Sequence, residues 1–325
     1  MKKVLIIMPD FYSYAEAIKQ GFLDKGYDVD LYFEQPSAIK YLILRKCERI
    51  FKTQWGYNMF LSYLYNKIKK SKKKYDLLLV IRGNILNEKF INNVKGSFLK
   101  DNAKKVYYTW DSFEFLNHKG KLGTFFDKKF SFDPKDVKTD SSWNLLPLFY
   151  AKNFDAELKK SCVEKEFDVS CIAGFNEVRY DLLSKIQEAN PFLNIKVNLY
   201  INRKLFDLKA KLTPSFNDIN KDWLIFDYLS HKEVAETYLK SKAILDITDE
   251  KQSGLSMRSI ESVGLMRKLV TNNPYIKEFN IYRNVHLIDK DNLLIPKEWL
   301  NSDFEMLPEE RVKYSLDGWI NQLIS

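Results

Sequence analysis

Residues 244–274 read ILDITDEKQSGLSMRSIESVGLMRKLVTNNP, and this stretch decides the fold. An apolar run is followed by a polar loop, a helical pattern and a second apolar run, which predicts a strand, a loop, a helix and another strand. Ser253, Gly254 and Ser256 lead into the helix, and Arg258 lies in its first turn. Unpaired backbone N–H groups, the helix dipole and a guanidinium all favour an anion. The pattern therefore predicts a phosphate-binding helix start.

Glu261 extends this predicted site along the helix. Residues three apart are neighbours on a helix surface, so Glu261 lies near Arg258 on a similar face. The helix rises about 7–8 Å from Ser256 to Glu261. That spacing suits a carboxylate that binds a ribose while the helix start holds a diphosphate. Serine and glycine are also common helix caps, so a purely structural role is the alternative.

Length and composition favour two globular domains. The chain has 325 residues, of which 45% are apolar and 15% aromatic, so two domains of about 150 residues each are expected. No apolar run approaches the ~18–20 residues of a membrane span, and the start MKKVLIIMPD is typical of a first strand rather than a signal peptide. The three cysteines follow no metal or disulfide spacing, which favours a reduced cytosolic compartment.

The positive charge is concentrated in one segment. The net charge of the chain is +9, but residues 40–74 alone carry +10 and the remainder −1. Aromatic and basic residues alternate there on helix-forming sequence, which favours an anionic membrane surface. A nucleic acid, or a solvated face over apolar core residues, is the alternative. The even charge balance elsewhere argues against nucleic acid.

Two series of alternating strand and helix patterns predict two doubly wound α/β domains with parallel sheets. The strands predicted in the first series are Val4–Met8, Tyr27–Phe33, Tyr75–Ile81, Lys105–Thr109, Lys128–Phe132 and Leu145–Phe149. Those predicted in the second are Phe167–Ile172, Ile195–Tyr200, Trp223–Phe226, Ala243–Ile247 and Val285–Ile288. Helices are expected over 37–73, with a break near Gly56, and from a capping box at Ser230 and Glu233. Residues 207–221 are predicted to be rich in loops.

The polar segment 150–165 is predicted to link the two domains. The domains are therefore expected at 1–155 and 156–325. The last amphipathic helix, at about 309–325, is a candidate to pack back on the first domain.

The segment 223–274, with DVSCIAG at 168–174 and Arg179, resembles the donor-binding half of GT-B glycosyltransferases. It is most similar to the bacterial capsule and lipopolysaccharide enzymes, whereas the N-terminal half resembles them in layout only. The resemblance implies two Rossmann-like domains that face each other across a cleft. It also implies an N-terminal acceptor-binding domain and a C-terminal domain that binds a nucleotide-sugar donor.

The resemblance also assigns roles to residues of the second domain. Glu261 would bind the ribose hydroxyls, and Tyr228 and Leu229 would cover the base. Many retaining members carry two glutamates eight positions apart; here Ser253 stands at the earlier position, which favours inversion. Gly174 is expected in the donor-binding site, and the residues expected at the donor diphosphate are Arg179, Ser253, Gly254, Leu255, Ser256 and Arg258.

An inverting transfer needs a base that takes a proton from the acceptor hydroxyl. Asp111 and Asp10 follow predicted strands of the first domain and are the candidate bases. Tyr12, Arg82 and Trp110 are the candidate acceptor contacts, with Trp110 suited to stacking on a sugar. The alternatives are aspartates that cap the following helix and an arginine that pairs with a neighbouring acid.

No metal or other cofactor is predicted. The pairs Asp28/Asp30 and Asp289/Asp291 have the spacing that holds a metal in GT-A enzymes. Solvated turn carboxylates explain them better, and arginines with helix N–H groups can replace a metal at a diphosphate.

The predicted function is sugar transfer from a nucleotide sugar to a glycan or lipid-linked glycan acceptor in bacterial surface polysaccharide synthesis. The enzyme is expected in the cytoplasm, held at the inner face of the plasma membrane through residues 40–74. A nucleotide-sugar epimerase of the same fold is one alternative. A non-catalytic protein that binds a membrane or nucleic acid through residues 40–74 is the other.

Overall fold

A computed structural model divides the chain into two compact units. One comprises Met1–Leu148 with Leu316–Ser325, and the other comprises Phe149–Ser315. None of the described helices is long and apolar enough to cross a membrane. The structure describes residues 1–11, 14–35, 55–156, 163–213, 216, 218–249 and 252–325.

Strands and helices alternate along both units. The strands are β1 (Lys3–Met8), β2 (Asp28–Phe33), β3 (Tyr75–Ile81), β4 (Leu99–Thr109), β5 (Lys128–Ser131), β6 (Asn144–Leu145), β7 (Phe167–Gly174), β8 (Ile195–Tyr200), β9 (Leu224–Ile225), β10 (Ser241–Asp246), β11 (Lys268–Thr271) and β12 (Val285–Leu287). The helices are α1 (Tyr14–Asp24), α2 (Trp55–Lys69), α3 (Glu88–Phe98), α4 (Pro134–Thr139), α5 (Glu177–Ala189), α6 (Arg203–Leu212), α7 (His231–Leu239), α8 (Met257–Gly264), α9 (Lys297–Asn301), α10 (Pro308–Val312) and α11 (Leu316–Ile324).

The first unit is built on a six-stranded parallel sheet with the order β2-β1-β3-β4-β5-β6. β1 and β3 are continuous apolar runs and almost fully buried, as expected for central strands covered on both faces. The C-terminal helix α11 completes this unit. Its Ile320 packs on Gly21 of α1, and the Trp319 ring meets Tyr108 edge-on at 4.9 Å between centroids.

The second unit is built on a parallel sheet with the order β9-β8-β7-β10-β11-β12. Counted within the unit, this is the Rossmann order 3-2-1-4-5-6, whose strand order reverses between β7 and β10. The order in the first unit reverses between β1 and β3. Ligands of open α/β sheets bind outside the carboxyl ends of the strands at these switch points, so both strand pairs position candidate sites.

Most predicted elements are confirmed, and the capping box is present: Ser230 and Glu233 bond reciprocally at the start of α7. The loop-rich prediction at 207–221 is wrong in part, because α6 runs to Leu212 from an Asn202 cap. The prediction of a single helix at the C-terminal end is also wrong. The segment is divided into α10 and α11 where Ser315 forms a β-bridge with Tyr150. Of the helical prediction at 37–73, residues 37–54 lie outside the described residues.

Candidate functional site

The loop at residues 252–256 lies between β10 and α8, at the switch point of the second sheet. Ser256 is the N-cap of α8, and its hydroxyl accepts a bond from the N–H of Ser259. The buried Asn273 amide donates to the carbonyl oxygens of Ser253 (3.3 Å) and Gly254 (3.4 Å). Side-chain bonds thus fix the backbone of the predicted phosphate loop.

Asp246, the last residue of β10, organises this loop and is missing from the sequence prediction. It is fully buried. Its carboxylate accepts hydrogen bonds from Ser256 Oγ (2.5 Å), Ser259 Oγ (2.7 Å) and Arg258 Nε (2.8 Å). Burial raises the pKa of this carboxyl, but Arg258 and the hydroxyls outweigh burial, so its pKa is lowered from the usual value. The sequence signal that could have identified Asp246 is an acidic residue in an apolar strand pattern just before the predicted phosphate loop.

Two arginines converge at the same switch point. Arg258 extends from α8 and its side chain is 22% exposed. Arg179 of α5 donates from Nη1 to the Gly174 carbonyl at the end of β7 (2.5 Å). It also donates from Nε and Nη2 to the Ile247 carbonyl after β10 (3.4 and 3.3 Å). Burial, and then repulsion from Arg258, lower the pKa of Arg179. A bound anion would relieve that repulsion.

Glu261 lies on the buried inner side of α8 and is only 4% exposed. Its charge acts on the phenol of Tyr238 in α7. The pKa of that phenol is raised first by burial and then by Glu261. The carboxylate is therefore held inside the second unit, close to Tyr238. Its ribose-binding role stays a prediction.

The predicted base-covering residues follow β9. Tyr228 is 59% exposed and stacks on Tyr200 from the end of β8, with 3.7 Å between ring centroids and 21° between planes. Leu229 is half-buried. Gly174, which is predicted to contact the donor, ends β7 and has open space where a side chain would stand, because an added Cβ would meet nothing within 4 Å. An exposed aromatic ring supported from behind offers a stacking surface for a base.

In the first unit, the structure brings two predicted site residues together. Asp111 Oδ2 lies 2.5 Å from Arg82 Nε, and each residue follows a central strand at its carboxyl end. Asp111 does not cap a helix, because Ser112 is the N-cap of the following turn. Arg82 does pair with a neighbouring acid, as the alternative predicted, but that acid is the first candidate base.

The other candidates of the first unit differ in accessibility. Asp10 is exposed after β1, and Tyr12 lies outside the described residues. The Trp110 ring is only 9% exposed because it packs against Phe11 (5.2 Å between centroids) and Tyr14 (6.0 Å). That packing leaves little ring surface for a sugar, and an acceptor contact at Trp110 stays a prediction.

Glu34, just after β2, is a site residue that the sequence prediction missed. It is fully buried, and its Oε1 lies 3.8 Å from Nη1 of Arg82. Neither carboxyl oxygen has a hydrogen-bond partner among the described residues. Burial raises the pKa of Glu34 to about 8, although Arg82 opposes the shift. The only signal in the sequence was an acid directly after a strand.

Glu34 is expected to make stability depend on pH. The folded-state pKa of about 8, against 4.5 in the unfolded chain, means that folding takes up a proton between these values. This stability is complete below about pH 4.5 and is lost as the pH rises through 8. We expect the melting temperature of Glu34→Gln to rise relative to wild type between pH 5 and pH 8, by about 2–4 °C for each kcal/mol regained. Calorimetry at pH 5 and pH 8 measures the melting temperatures of both proteins. If the difference between Glu34→Gln and wild type were the same at the two pH values, the expectation would be contradicted.

The candidate metal pairs have other partners. Lys73 forms ion pairs with Asp28 (2.9 Å) and Asp30 (3.0 Å). Asp289 accepts the N–H of Asp291 (2.9 Å) within a turn. No cluster of three or more His, Cys, Asp or Glu side chains in the described parts of the chain could hold a metal ion.

The described part of the basic segment has structural contacts as well as exposed lysines. Lys73 makes the ion pairs above, and the Lys67 ammonium lies 5.7 Å from the Tyr32 ring centroid. Lys69 and Lys70 are exposed. Residues 40–54 lie outside the described residues, so membrane binding through 40–74 stays a prediction.

Comparisons with known proteins match at the level of the fold. No family model matches the chain, and no curated protein matches its sequence. AviGT4, a glycosyltransferase involved in Avilamycin A biosynthesis, is 9% identical with a TM-score of 0.60, over 100% of this chain and 96% of that chain. A glycosyltransferase from Rickettsia africae is 9% identical with a TM-score of 0.60, over 99% and 97%. The UDP-GlcNAc 2-epimerase from Neisseria meningitidis is 11% identical with a TM-score of 0.56, over 100% and 98%.

The chain has the GT-B fold, with two Rossmann-like α/β domains that each carry a six-stranded parallel sheet. The fold class predicted from the sequence is confirmed in this respect. Glycosyltransferases and UDP-GlcNAc 2-epimerases share the fold, so the fold alone does not choose between them. The narrower resemblance to capsule and lipopolysaccharide enzymes stays a prediction.

Proposed function

We propose that this protein is a nucleotide-sugar enzyme of the GT-B fold, and specifically a glycosyltransferase. One observation carries the proposal. Arg179 and Arg258 converge beside a fixed loop and helix start at the switch point of the second sheet. Two guanidiniums and the N-terminal end of the α8 dipole suit a diphosphate, which Arg binds in bidentate fashion. The exposed Tyr228 would support the base, and Glu261 the ribose.

The same groups would stabilise the leaving group. When the acceptor oxygen attacks the anomeric carbon, the bond from that carbon to the diphosphate oxygen breaks and the diphosphate leaves with the electron pair. Fixed positive charge placed where negative charge develops lowers the barrier. Arg179, Arg258 and the dipole of α8 would supply that charge without a metal ion.

Asp111 is the proposed base. It is 33% exposed, so an acceptor hydroxyl can reach it, and its ion pair with Arg82 holds it in place after β4. It would take the acceptor proton as the new glycosidic bond forms at the anomeric carbon. Inversion follows from such a single displacement. Asp10, which is exposed after β1, is the second candidate.

The proposed acceptor is a glycan or lipid-linked glycan in bacterial surface polysaccharide synthesis, reached at the inner face of the plasma membrane through residues 40–74. The excess charge in that segment suits an anionic membrane surface, and the even charge balance of the rest of the chain argues against a nucleic acid. A nucleotide-sugar epimerase is the second candidate, because the fold also occurs in UDP-GlcNAc 2-epimerases. An epimerase would convert UDP-N-acetylglucosamine with no acceptor present, whereas a transferase needs the acceptor.

The donor site predicts a ligand-dependent melting temperature. UDP, GDP and ADP, with UDP-glucose and UDP-N-acetylglucosamine, form the probe panel, and a ligand at 100 times its Kd adds about 2.7 kcal/mol of stability. We expect Glu261→Gln to weaken binding of the responding nucleotide by about tenfold or more, because a charged hydrogen bond to the ribose is lost. The matched control is Glu236→Gln, an exposed glutamate of α7 that forms an ion pair with exposed Lys232. Equal affinities in the two variants would remove Glu261 from the site.

A further inference from the structure

Arg82 has two carboxyl neighbours from different strands. Asp111 Oδ2, after β4, lies 2.5 Å from its Nε, and Glu34 Oε1, after β2, lies 3.8 Å from its Nη1. The two acids are not equivalent. Asp111 is 33% exposed, whereas the Glu34 side chain is fully buried. One guanidinium is thus shared between an accessible carboxyl group and an enclosed one.

The backbone holds Arg82 in this shared position. Its φ is +67° and that of Gly83 is +66°, so a non-glycine residue adopts the left-handed region. The Arg82 carbonyl accepts a bond from Tyr107 Oη (2.7 Å), and its N–H donates to the Tyr108 carbonyl (2.8 Å). Such unfavourable conformations persist where the surroundings fix them, often at functional sites.

Glu34 is held just as firmly but cannot touch a substrate. Its N–H donates to the Met8 carbonyl at the end of β1 (2.8 Å), which places it beside the switch point of the sheet. Its side chain has no exposed surface, and its carboxyl oxygens have no hydrogen-bond partner among the described residues. A buried polar group left without partners is costly and calls for an explanation. Any effect of Glu34 on chemistry must pass through Arg82.

We propose that Glu34 is a positioning residue: its carboxyl group competes with Asp111 for Arg82 and so sets how firmly Arg82 holds the Asp111 carboxylate. This rests on the proposed function, in which Asp111 accepts the proton of the acceptor hydroxyl. While Glu34 is neutral, Asp111 is the only charged carboxylate of the two beside Arg82 and holds the guanidinium alone. Once Glu34 ionises, Arg82 is shared and its contact with Asp111 loosens, which frees the carboxylate to meet the acceptor hydroxyl.

The groups that face Glu34 decide where this change occurs. Among the described residues, the charged and titratable groups are Arg82, Asp111 and Tyr107 of β4. Burial raises the pKa of Glu34 to about 8, and Asp111 adds to the rise, while Arg82 opposes it. The exchange of partners therefore falls near neutral to mildly alkaline pH.

Carboxyl NMR of the full-length protein tests the coupling without any ligand. In protein labelled with ¹³C at aspartate and glutamate, the Asp111 signal is identified by its loss in Asp111→Asn. We expect the wild-type Asp111 signal to show an inflection near pH 8 as Glu34 ionises, and Glu34→Gln to lack it. Asp30→Asn is the matched control, since this acid of β2 pairs with Lys73 and Tyr75, and it should retain the inflection. An inflection that persists in Glu34→Gln, or is missing from wild type, overturns the proposal.

Turnover provides a second readout that separates the two hypotheses. With a donor and acceptor that react, kcat of wild type should rise about three- to tenfold from pH 7 to pH 9, a small part of the roughly 10²–10⁴-fold that a well-placed base contributes. The kcat of Glu34→Gln should stay level over that range, with the donor KM unchanged. If kcat depends on pH in the same way in wild type and in Glu34→Gln, the positioning role is overturned. Coupling in the NMR titration without sugar transfer supports the role of Glu34 toward Asp111 and contradicts the proposed function alone.

Discussion

Replacement of Asp246 by alanine is expected to cost about 3–5 kcal/mol of unfolding free energy, the usual loss when one partner of a buried ion pair is removed. The carboxylate of Asp246 accepts bonds from Ser256, Ser259 and Arg258 at once. Without it, the guanidinium of Arg258 loses its carboxylate partner and the N-cap of α8 loses its anchor. Nucleotide binding should disappear with the loop geometry. Chemical denaturation monitored by circular dichroism measures the first effect, and the nucleotide thermal-shift panel measures the second.

A double variant separates the missing charge from the missing side chain. In Asp246→Leu with Arg258→Met, both charges are removed, and a buried pair replaced by apolar groups is often close to neutral in stability. We therefore expect the double variant to be more stable than Asp246→Ala while still failing to bind nucleotide. A double variant as unstable as the single one would mean that the two serine hydroxyls, rather than the ion pair, account for the loss.

The donor half could be predicted because its signals are local. The loop, the helix start, Arg258 and Glu261 all lie within the 31 residues from Ile244 to Pro274, where helical spacing alone determines which side chains are neighbours. The capping box at Ser230 was predictable for the same reason. Asp246 lies within the predicted strand Ala243–Ile247, but its bonds to Ser256, Ser259 and Arg258 depend on how the loop folds back onto that strand.

The candidate site of the first unit could be predicted only in part, because its residues come from segments that are far apart in the sequence. Glu34, Arg82 and Asp111 follow β2, β3 and β4, and they meet because β3 pairs with β4 and is separated from β2 by β1 alone. Local sequence spacing does not determine the order of the strands in a sheet. The sequence alone could therefore not link Glu34 with Arg82. The burial of Trp110 could not be predicted either, because it depends on the rings of Tyr14 in α1 and of Phe11 before that helix.

Gly264, the last residue of α8, is expected to tolerate no side chain. A Cβ there would lie 2.3 Å from the Phe154 carbonyl oxygen and 2.5 Å from Cγ of Tyr150. The first contact is with backbone, which cannot rotate away, so α8 or the segment before β7 must shift. The Gly264 carbonyl also accepts a bond from the buried Arg311 (3.3 Å), which pairs with Asp155 (2.9 Å). We expect Gly264→Ala to lose at least about 3 kcal/mol, at the upper end for an overpacked core.

Gly96→Ala is the matched control for Gly264→Ala. Gly96 lies in α3 of the first unit, is exposed, and an added Cβ there meets nothing within 4 Å. Alanine should therefore stabilise that helix by about 0.5–1 kcal/mol. Opposite signs for the same substitution in two helices, measured by urea denaturation, would show that packing at the end of α8 decides the outcome. If Gly264→Ala were as stable as wild type, α8 could move relative to Phe154, and the phosphate loop that it carries would not be rigidly held.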